Sequence, residues 1–250
     1  IANSYGFKIE TLSVSWEETL GANTRSEQEK LEQTYRKMKN EELLKKGITL
    51  IDKNRIDVRG ELQAGVDCTI DINVIFEGKV ELGNNVKIGA NTIITNTKIG
   101  DNSEILPFSH IDSSHIGKDC FIGPYARLRE GSEIADGARI GNFVETKKAK
   151  IGQSTKANHF TYLGDAEIGN DVNIGAGTIT CNYDGKNKNK TEIGDGSFIG
   201  TNSSLVAPVS IGKNAYVGAG STITKDVPDS SLGISRSKQK NVKDWSKNKK

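Results

Sequence analysis

Apolar positions along this chain keep a six-residue beat. An isoleucine, leucine or valine followed by glycine stands at Leu82, Ile88, Ile99, Ile116, Ile122, Ile140, Ile151, Leu163, Ile168, Ile174, Ile193, Ile199, Ile211 and Val217. The intervals are six or multiples of six with an occasional shortfall of one, and Ile94, Ile105, Ile111, Leu128, Ile134, Ala157, Leu205 and Ile223 fill the gaps in the same phase. Five-residue steps at 94→99, 111→116, 146→151 and 163→168 bring three steps to about 17 or 18 residues, one circuit of a triangular prism. A fixed period of this kind is the mark of a repeat architecture. Each unit reads as a short strand plus a tight corner, its apolar residue pointing inward and covered by the coils above and below. The residues that follow are Gly, Asn and Asp, as in Gly83-Asn84-Asn85 and Gly169-Asn170-Asp171, types that tolerate positive φ or bond their own backbone at turns. Stacked coils satisfy one another's backbone groups as parallel strands do. Unrelated β-hairpins would not hold one phase over such a length. The pattern therefore predicts a mainly β chain built as a parallel β-helix.

Outside residues 48–227 the beat is absent. Residues 7–12, Phe-Lys-Ile-Glu-Thr-Leu, alternate as a strand would, and a polar helix rich in Glu, Gln, Lys and Leu is predicted from about Thr24 to Lys46. Asn23 or Thr24, with Ser26 or Glu27 just beyond, marks its start, and Gly47 its stop. Residues 228–250 form a basic tail. Within the repeats the one clear interruption is residues 180–192, a loop projecting from the solenoid, where specificity can be added without disturbing the core.

Composition fits this picture. Of 250 residues 34 % are apolar and 26 % charged, with 27 glycines and 4 prolines, too few apolar residues for an ordinary α/β globule and enough for a thin, elongated core. A formal net charge of +2 supplies no large steering field and does not point to nucleic acid. Cys68, Cys120 and Cys181 lie far apart with no C-x-x-C pair, which suggests neither a zinc ribbon nor a disulfide framework and makes a reducing cytoplasm the simplest expectation. No apolar run approaches the roughly 20 residues of a membrane span, and there is no signal-peptide core. The chain opens on Ile1 rather than Met and reads as a fragment of a longer protein.

Residues 141–192 are more distinctive. They contain Gly-Asn-Phe-Val-Glu-Thr-Lys-Lys from Gly141, Lys-Ala-Asn-His-Phe-Thr-Tyr-Leu-Gly-Asp from Lys156, and Asn-Ile-Gly-Ala-Gly-Thr-Ile-Thr-Cys-Asn-Tyr-Asp-Gly from Asn173; the earlier Tyr125-Ala-Arg127-Leu-Arg129 belongs with them. Together these resemble the C-terminal half of the bacterial bifunctional N-acetylglucosamine-1-phosphate uridyltransferase/glucosamine-1-phosphate acetyltransferase family, over essentially the whole chain. The resemblance implies a left-handed sense of winding, on which the spacing is silent, since parallel crossovers are ordinarily right-handed. It divides the chain into the end of a uridyltransferase domain (1–23), a helical arm (24–47), a left-handed β-helix acetyltransferase domain (48–227) and a C-terminal tail (228–250). It implies acetyl transfer from acetyl-CoA to the amine of glucosamine 1-phosphate, a step toward UDP-N-acetylglucosamine for peptidoglycan and lipopolysaccharide, in a cytoplasmic homotrimer with active sites between neighbouring prisms.

Residue by residue, the resemblance makes His159 the catalytic base, with Glu145 orienting or polarising its imidazole. It makes Arg129, Lys147, Tyr162, Asn173 and Lys188 contacts of the sugar phosphate, and Ala176, Asn182, Tyr183, Thr201, Ala219 and Arg236 contacts of acetyl-CoA. Thr201 stands where the family often has serine and keeps the hydroxyl. Asn23 matches an asparagine that helps hold Mg2+ for uridyl transfer, but the partner aspartate and the nucleotide loop lie outside these residues, so no uridyl transfer is expected from them. Each residue also has a plain structural reading: a core histidine, a solvated strand glutamate, surface cations, small residues for tight packing, a helix cap at Asn23. Two other functions fit a prism of this kind. Three histidines holding zinc between subunits would make a carbonic anhydrase; His110 and His115 are five apart, but no histidine precedes His110. A non-catalytic solenoid scaffold would not need His159, Asn182 and Lys188.

Overall fold

The computed structural model describes residues 2–6 and 8–248. Its body is a parallel β-solenoid. One face can be followed coil by coil through the pairings of Thr49 with Thr69, Thr69 with Lys87, Lys87 with Glu104, Glu104 with Phe121 and Phe121 with Arg139. It continues through Lys156, Asn173, Phe198 and Tyr216 to Leu232, so the ladder runs a short way past Val227. The second face carries Ile93, His110, Arg127, Glu145, Tyr162 and Ile179 in register, and the third carries Glu81, Lys98, His115, Glu133, Lys150 and Glu167.

The residues of the six-residue phase line the interior. Ile94, Ile105, Ile111, Ile116, Ile122, Leu128, Ile140, Ala157, Leu163 and Leu205 are buried to 1 % exposure or less, and each buried large aliphatic contributes about 1.5–3 kcal/mol. A second inward position, two residues earlier, is filled by small side chains, several of which bond the next coil. Ser103 Oγ donates to Gly117 O at 2.8 Å, Thr155 Oγ1 to Gly169 O at 2.7 Å, and Ser197 Oγ to Gly212 O at 2.7 Å. Cys68 and Cys120 occupy the same position, their thiols facing Gly83 O and Ala135 O. Burial pushes the Cys120 thiol up to about 11, so it is structural and not a nucleophile at neutral pH.

The corners explain the Asn and Asp content. Asn73, Asn85, Asn91, Asn102, Asp119, Asp171 and Asn202 all sit at φ between 54° and 59°, the left-handed region these residues enter most easily. On one edge bulky residues take this place: Phe108, Tyr125, Phe143 and Phe160 have φ of 62°, 56°, 56° and 49°. Such positions cost of order 1–3 kcal/mol each. Stacking down the edge at centroid spacings of 4.9, 5.3 and 5.2 Å offsets part of it, at about 0.5–1.5 kcal/mol per pair.

The helix Arg25–Lys45 begins with a capping box, Thr24 Oγ1 accepting from Glu27 N while Glu27 accepts from Thr24 N, and it stops before Gly47 at φ 83°. It closes the first coil. Leu43 joins the core, and Asn40 Nδ2 donates to Lys53 O at 2.6 Å and Ile56 O at 3.0 Å. The strand expected over residues 7–12 does not form: Phe7 lies outside the described residues, and residues 8–12 are exposed without regular structure. No neighbouring strand pairs with them, and an unpaired strand leaves its backbone groups unsatisfied.

Candidate active site

Coil register sorts the expected site residues into two groups, at the two edges of the second face. The first lies on the edge between the first and second faces, one residue before each positive-φ corner. Asn142 is in register with His159. Asn202 N donates to Ala176 O at 2.7 Å, Gly220 N to Thr201 O at 2.8 Å, and Arg236 Nη1 to Ala219 O at 2.8 Å. Thus Asn142, His159, Ala176, Thr201 and Ala219 descend one edge a coil at a time, with Arg236 folded back onto its lower end. The aromatic stack beside them stops at Phe160, and Gly177, Asn202 and Gly220 continue its line. The edge is bulky above His159 and slim below it, leaving room there for an extended chain to lie against the backbone. Asn173 stands on the first face just before this edge, between Lys156 and Phe198.

The second group lies at the far edge of the second face. Arg129 Nη1 donates to Glu145 Oε1 at 2.9 Å, and that contact holds the guanidinium pKa above its ordinary value. Lys147 is in register with Gly164, and the Tyr162 ring folds over Gly164, where any Cβ would strike its hydroxyl end. The interruption in the beat delivers Lys188 here. Ile179–Cys181 and Thr191–Ile193 remain coil strands, so the loop proper is residues 182–190, with Thr180 and Thr191 buried beneath it. Asp184 ties the loop down by accepting from Lys186 N at 2.8 Å, Asn187 N at 2.6 Å and Asn189 Nδ2 at 3.1 Å. The backbone N–H groups of Asn187 and Lys186 hold its carboxyl below the usual range. Tyr183 pairs with Lys188 across the turn and donates from its hydroxyl to Gly185 O at 2.7 Å. Lys188 then meets Lys147, and contact with that ammonium, followed by its charge, pulls the Lys188 pKa down. Asn182 Nδ2 donates to Asp165, whose charge faces Lys188 in turn. Lys147 Nζ also stands 3.5 Å from Glu130 Oε1, so the two ammonium groups and the Arg129 guanidinium gather here among the carboxylates of Glu130, Glu145 and Asp165.

Glu145 does not meet His159 within one chain. It is in register with Tyr162, three residues further along the strand than His159, about 10 Å at strand spacing, and its carboxylate is taken by Arg129. The partner of His159 is Asn142, whose Oδ1 lies 2.9 Å from Nδ1. Asn142 and Asp165, not among the residues expected from the sequence, bond the candidate residues His159 and Asn182. Asn142 stands seventeen residues before His159, in the phase that links His159 to Ala176, and that phase was the signal. Asn23 lies at the helix start, where its backbone N–H donates to Glu27. The Glu27 carboxylate is engaged in capping, and no group of three metal-ligating side chains occurs among the described residues. These residues alone do not supply the oxygen set Mg2+ takes. His110 and His115 fall on different faces, flanked by Ile93 and Arg127 and by Lys98 and Glu133, without the third imidazole a zinc site needs.

The coil repeat and its corners are those of the hexapeptide transferases. The model described as "Bacterial transferase hexapeptide (six repeats)" matches residues 113–148 and 190–225, and "Hexapeptide repeat of succinyl-transferase" matches 65–96 and 79–105. Hexapeptide repeats of these two kinds therefore run through the solenoid. Its curated relatives include proteins named "Bifunctional protein GlmU": that of Idiomarina loihiensis is 55 % identical over 92 % of this chain and 50 % of its own length. The Cellvibrio japonicus protein is 55 % identical over 92 % and 51 %, and the Aromatoleum aromaticum protein 50 % over 91 % and 50 %. The chain spans about half the length of the curated relatives it matches. Among solved structures, a UDP-N-acetylglucosamine acyltransferase from Campylobacter jejuni aligns with TM-score 0.46 and 16 % identity, covering 72 % of this chain and 70 % of that one.

Proposed function

We propose that this chain transfers an acetyl group from acetyl-CoA to the amine of glucosamine 1-phosphate, giving N-acetylglucosamine 1-phosphate and free CoA. The observation that carries the reading is the single edge on which an exposed imidazole, His159, stands directly above a run of small residues, Ala176, Thr201 and Ala219, ending at Arg236. The small residues suit a pantetheine arm lying against the coil, and Arg236 suits the CoA phosphates. The amine attacks the thioester carbonyl, His159 takes the amine proton, and donors of Thr201, the corner backbone or, across an interface, Asn182 of a neighbouring prism hold the oxyanion. The thiolate leaves with a proton. A neutral imidazole is matched to proton transfer at working pH. Cys68 and Cys120 are buried in the core, which leaves half-buried Cys181 as the thiol an acyl-enzyme route would need; trapping an acetylated Cys181 would overturn direct transfer.

The seat formed by Arg129, Lys147, Tyr162 and Lys188 suits the sugar phosphate. It lies up to five strand residues from His159, about 16 Å, too far for one hexose to touch both on the same prism. That separation supports a homotrimer in which one prism's anion seat faces the next prism's imidazole edge. Glu145 would reach an imidazole only across that interface. The parent protein, at roughly twice this length, would also carry uridyl transfer with Mg2+ in the half not represented here. No described helix is long and apolar enough to cross a membrane, in keeping with a cytoplasmic enzyme. A scaffold without chemistry would have no use for a tied loop bringing one lysine onto another.

The test is an acetyl-CoA-dependent thiol-release assay with a panel of amino sugars. Glucosamine 1-phosphate is expected to exceed both galactosamine 1-phosphate and free glucosamine by at least about tenfold in kcat/KM. Equal rates with free glucosamine would remove the anion seat from the reading, and no thiol release with any of them would remove the reaction.

A further inference from the structure

We infer that Asn142 is a positioning residue that fixes the tautomer of His159, its side-chain carbonyl holding the proton on Nδ1 and leaving the Nε2 lone pair free for the incoming amine. The inference rests on the reading of His159 as the base and adds how that base is set.

The placement follows from the coil. Residues 142 and 159 are in register on adjacent coils, about 4.8 Å apart. Each immediately precedes a phenylalanine at positive φ, Phe143 and Phe160, whose rings pack at 5.2 Å. The two backbones therefore turn the same corner, and the amide and the imidazole leave it side by side. Gly141 permits the close approach, since a Cβ there would strike the carbonyl of Asn158. Thr161 Oγ1 donates to the carbonyl of His159 at 2.8 Å and fixes the backbone on the other side. Asn142 Oδ1 then lies 2.9 Å from Nδ1.

A neutral imidazole carries one N–H. Facing a carbonyl, Nδ1 gains a hydrogen bond if it holds the proton and meets lone-pair repulsion if it does not. A turned amide, offering its NH2 group, would force the proton to Nε2 and leave no acceptor for the amine. Within one chain the neighbouring side chains on this edge do not select between these states. On the coil below, the edge carries Ala176, which has no polar side chain, and Glu145 is bonded to Arg129. Both neighbours of His159 on this edge are uncharged, so the bias comes from Asn142 acting as an acceptor.

The experiment uses the full chain with 15N-labelled histidine. Long-range 1H–15N spectra above the imidazole titration are expected to show His159 with a protonated Nδ1 and a pyridine-type Nε2. Asn142→Leu keeps the bulk and loses the carbonyl; its ring is expected to change to the Nε2–H form, with kcat lower by roughly ten- to a hundredfold and both KM values within about twofold. Asn142→Asp keeps the acceptor and adds a charge; it should keep the Nδ1–H ring and move the acid limb of kcat/KM upward by about one pH unit, because a carboxylate favours the imidazolium. A residue with a merely packing role would move none of these ring signals. A pyridine-type Nδ1 in the wild-type spectrum, or an unchanged ring in Asn142→Leu, overturns the inference. A wild-type Nδ1–H ring with no acetyl transfer would count against the acetyl-transfer reading and leave the tautomer assignment standing, so the two fail separately.

Discussion

Replacing His159 with alanine is expected to remove on the order of a hundred- to ten-thousandfold of kcat, the range a positioned general base contributes, while the prism stays intact. The second half follows from where the side chain sits. His159 is exposed, its neighbour in the core is Ala157 at 0 % exposure, and its side-chain hydrogen bond among the described residues is to Asn142 on the same open edge. A surface side chain of this kind changes stability by about 0.5 kcal/mol or less, so the melting curve should overlay that of the unaltered chain. Thiol release measured alongside thermal unfolding separates loss of chemistry from loss of fold. A variant that retains more than about a tenth of the rate would take the base assignment away from this residue. The KM values carry further information: a base acts in the transition state and leaves ground-state contacts in place, so both should hold.

How much of this was legible in the sequence depends on whether a residue's role is periodic. The inward column was readable from Leu82 to Ile223 because one aliphatic side chain per six residues is a strong signal, and those positions are the core. The second inward column was not, since Ser103, Thr155, Ser197, Cys120 and Ala138 share small size and no common polarity; their common role, filling or bonding the corner beneath, needs the coil in three dimensions. Cys68 and Cys120 are explained by it and by nothing in their sequence spacing. The helix could be delimited from Thr24, Glu27 and Gly47, but its docking on the first coil rests on two buried residues, Asn40 and Leu43, too few to show as an apolar stripe. The alternation at residues 7–12 misled because alternation makes a strand only where another strand accepts it.

The candidate site could be named from the sequence as residues and not as an arrangement. Resemblance named His159 and Lys147 together, yet their phases differ: His159 shares its phase with Asn142 and Ala176, whereas Lys147 shares its own with Gly164. Counting phase along the chain would have placed them on opposite edges of one face and suggested that a single prism holds two half-sites. The expected pairing of Glu145 with the imidazole fails within one chain for the same reason, since their three-residue offset along an extended strand is a separation no side chain spans.

Removing the loop should separate the scaffold from the seat. Coils elsewhere advance seventeen or eighteen residues between equivalent turn contacts, as from Gln153 to Asn170 and from Lys118 to Asp136, while the coil carrying the loop advances twenty-five, from Asn170 to Asp195. Deleting residues 183–189 leaves eighteen, an ordinary coil, with Asn182 joined to Lys190. The buried residues on either side, Thr180, Thr191 and Ile193, keep their places, and the bonds lost are those the loop makes within itself through Asp184 and Tyr183. Thermal stability is therefore expected to change by no more than a few degrees. Catalysis should not survive so well. The deletion takes away Lys188, one of the two facing ammonium groups, together with Tyr183. Lys188 is exposed, and loss of its charge-assisted contact with the phosphate should lower kcat/KM for glucosamine 1-phosphate on the order of ten- to a hundredfold, chiefly through KM. Acetyl-CoA binding, proposed at Ala176, Thr201, Ala219 and Arg236, loses only Tyr183 of its expected contacts and should weaken less. Lys188→Ala in the intact loop provides the finer cut, with roughly ten- to a hundredfold in KM for the sugar phosphate and no change in melting. If the loopless chain melts as before and acetylates glucosamine 1-phosphate at full efficiency, the pair of lysines is a surface accident and the phosphate sits elsewhere on the prism. If instead it unfolds, the loop is part of the coil's stability, and the single substitution at Lys188 still decides where the phosphate binds.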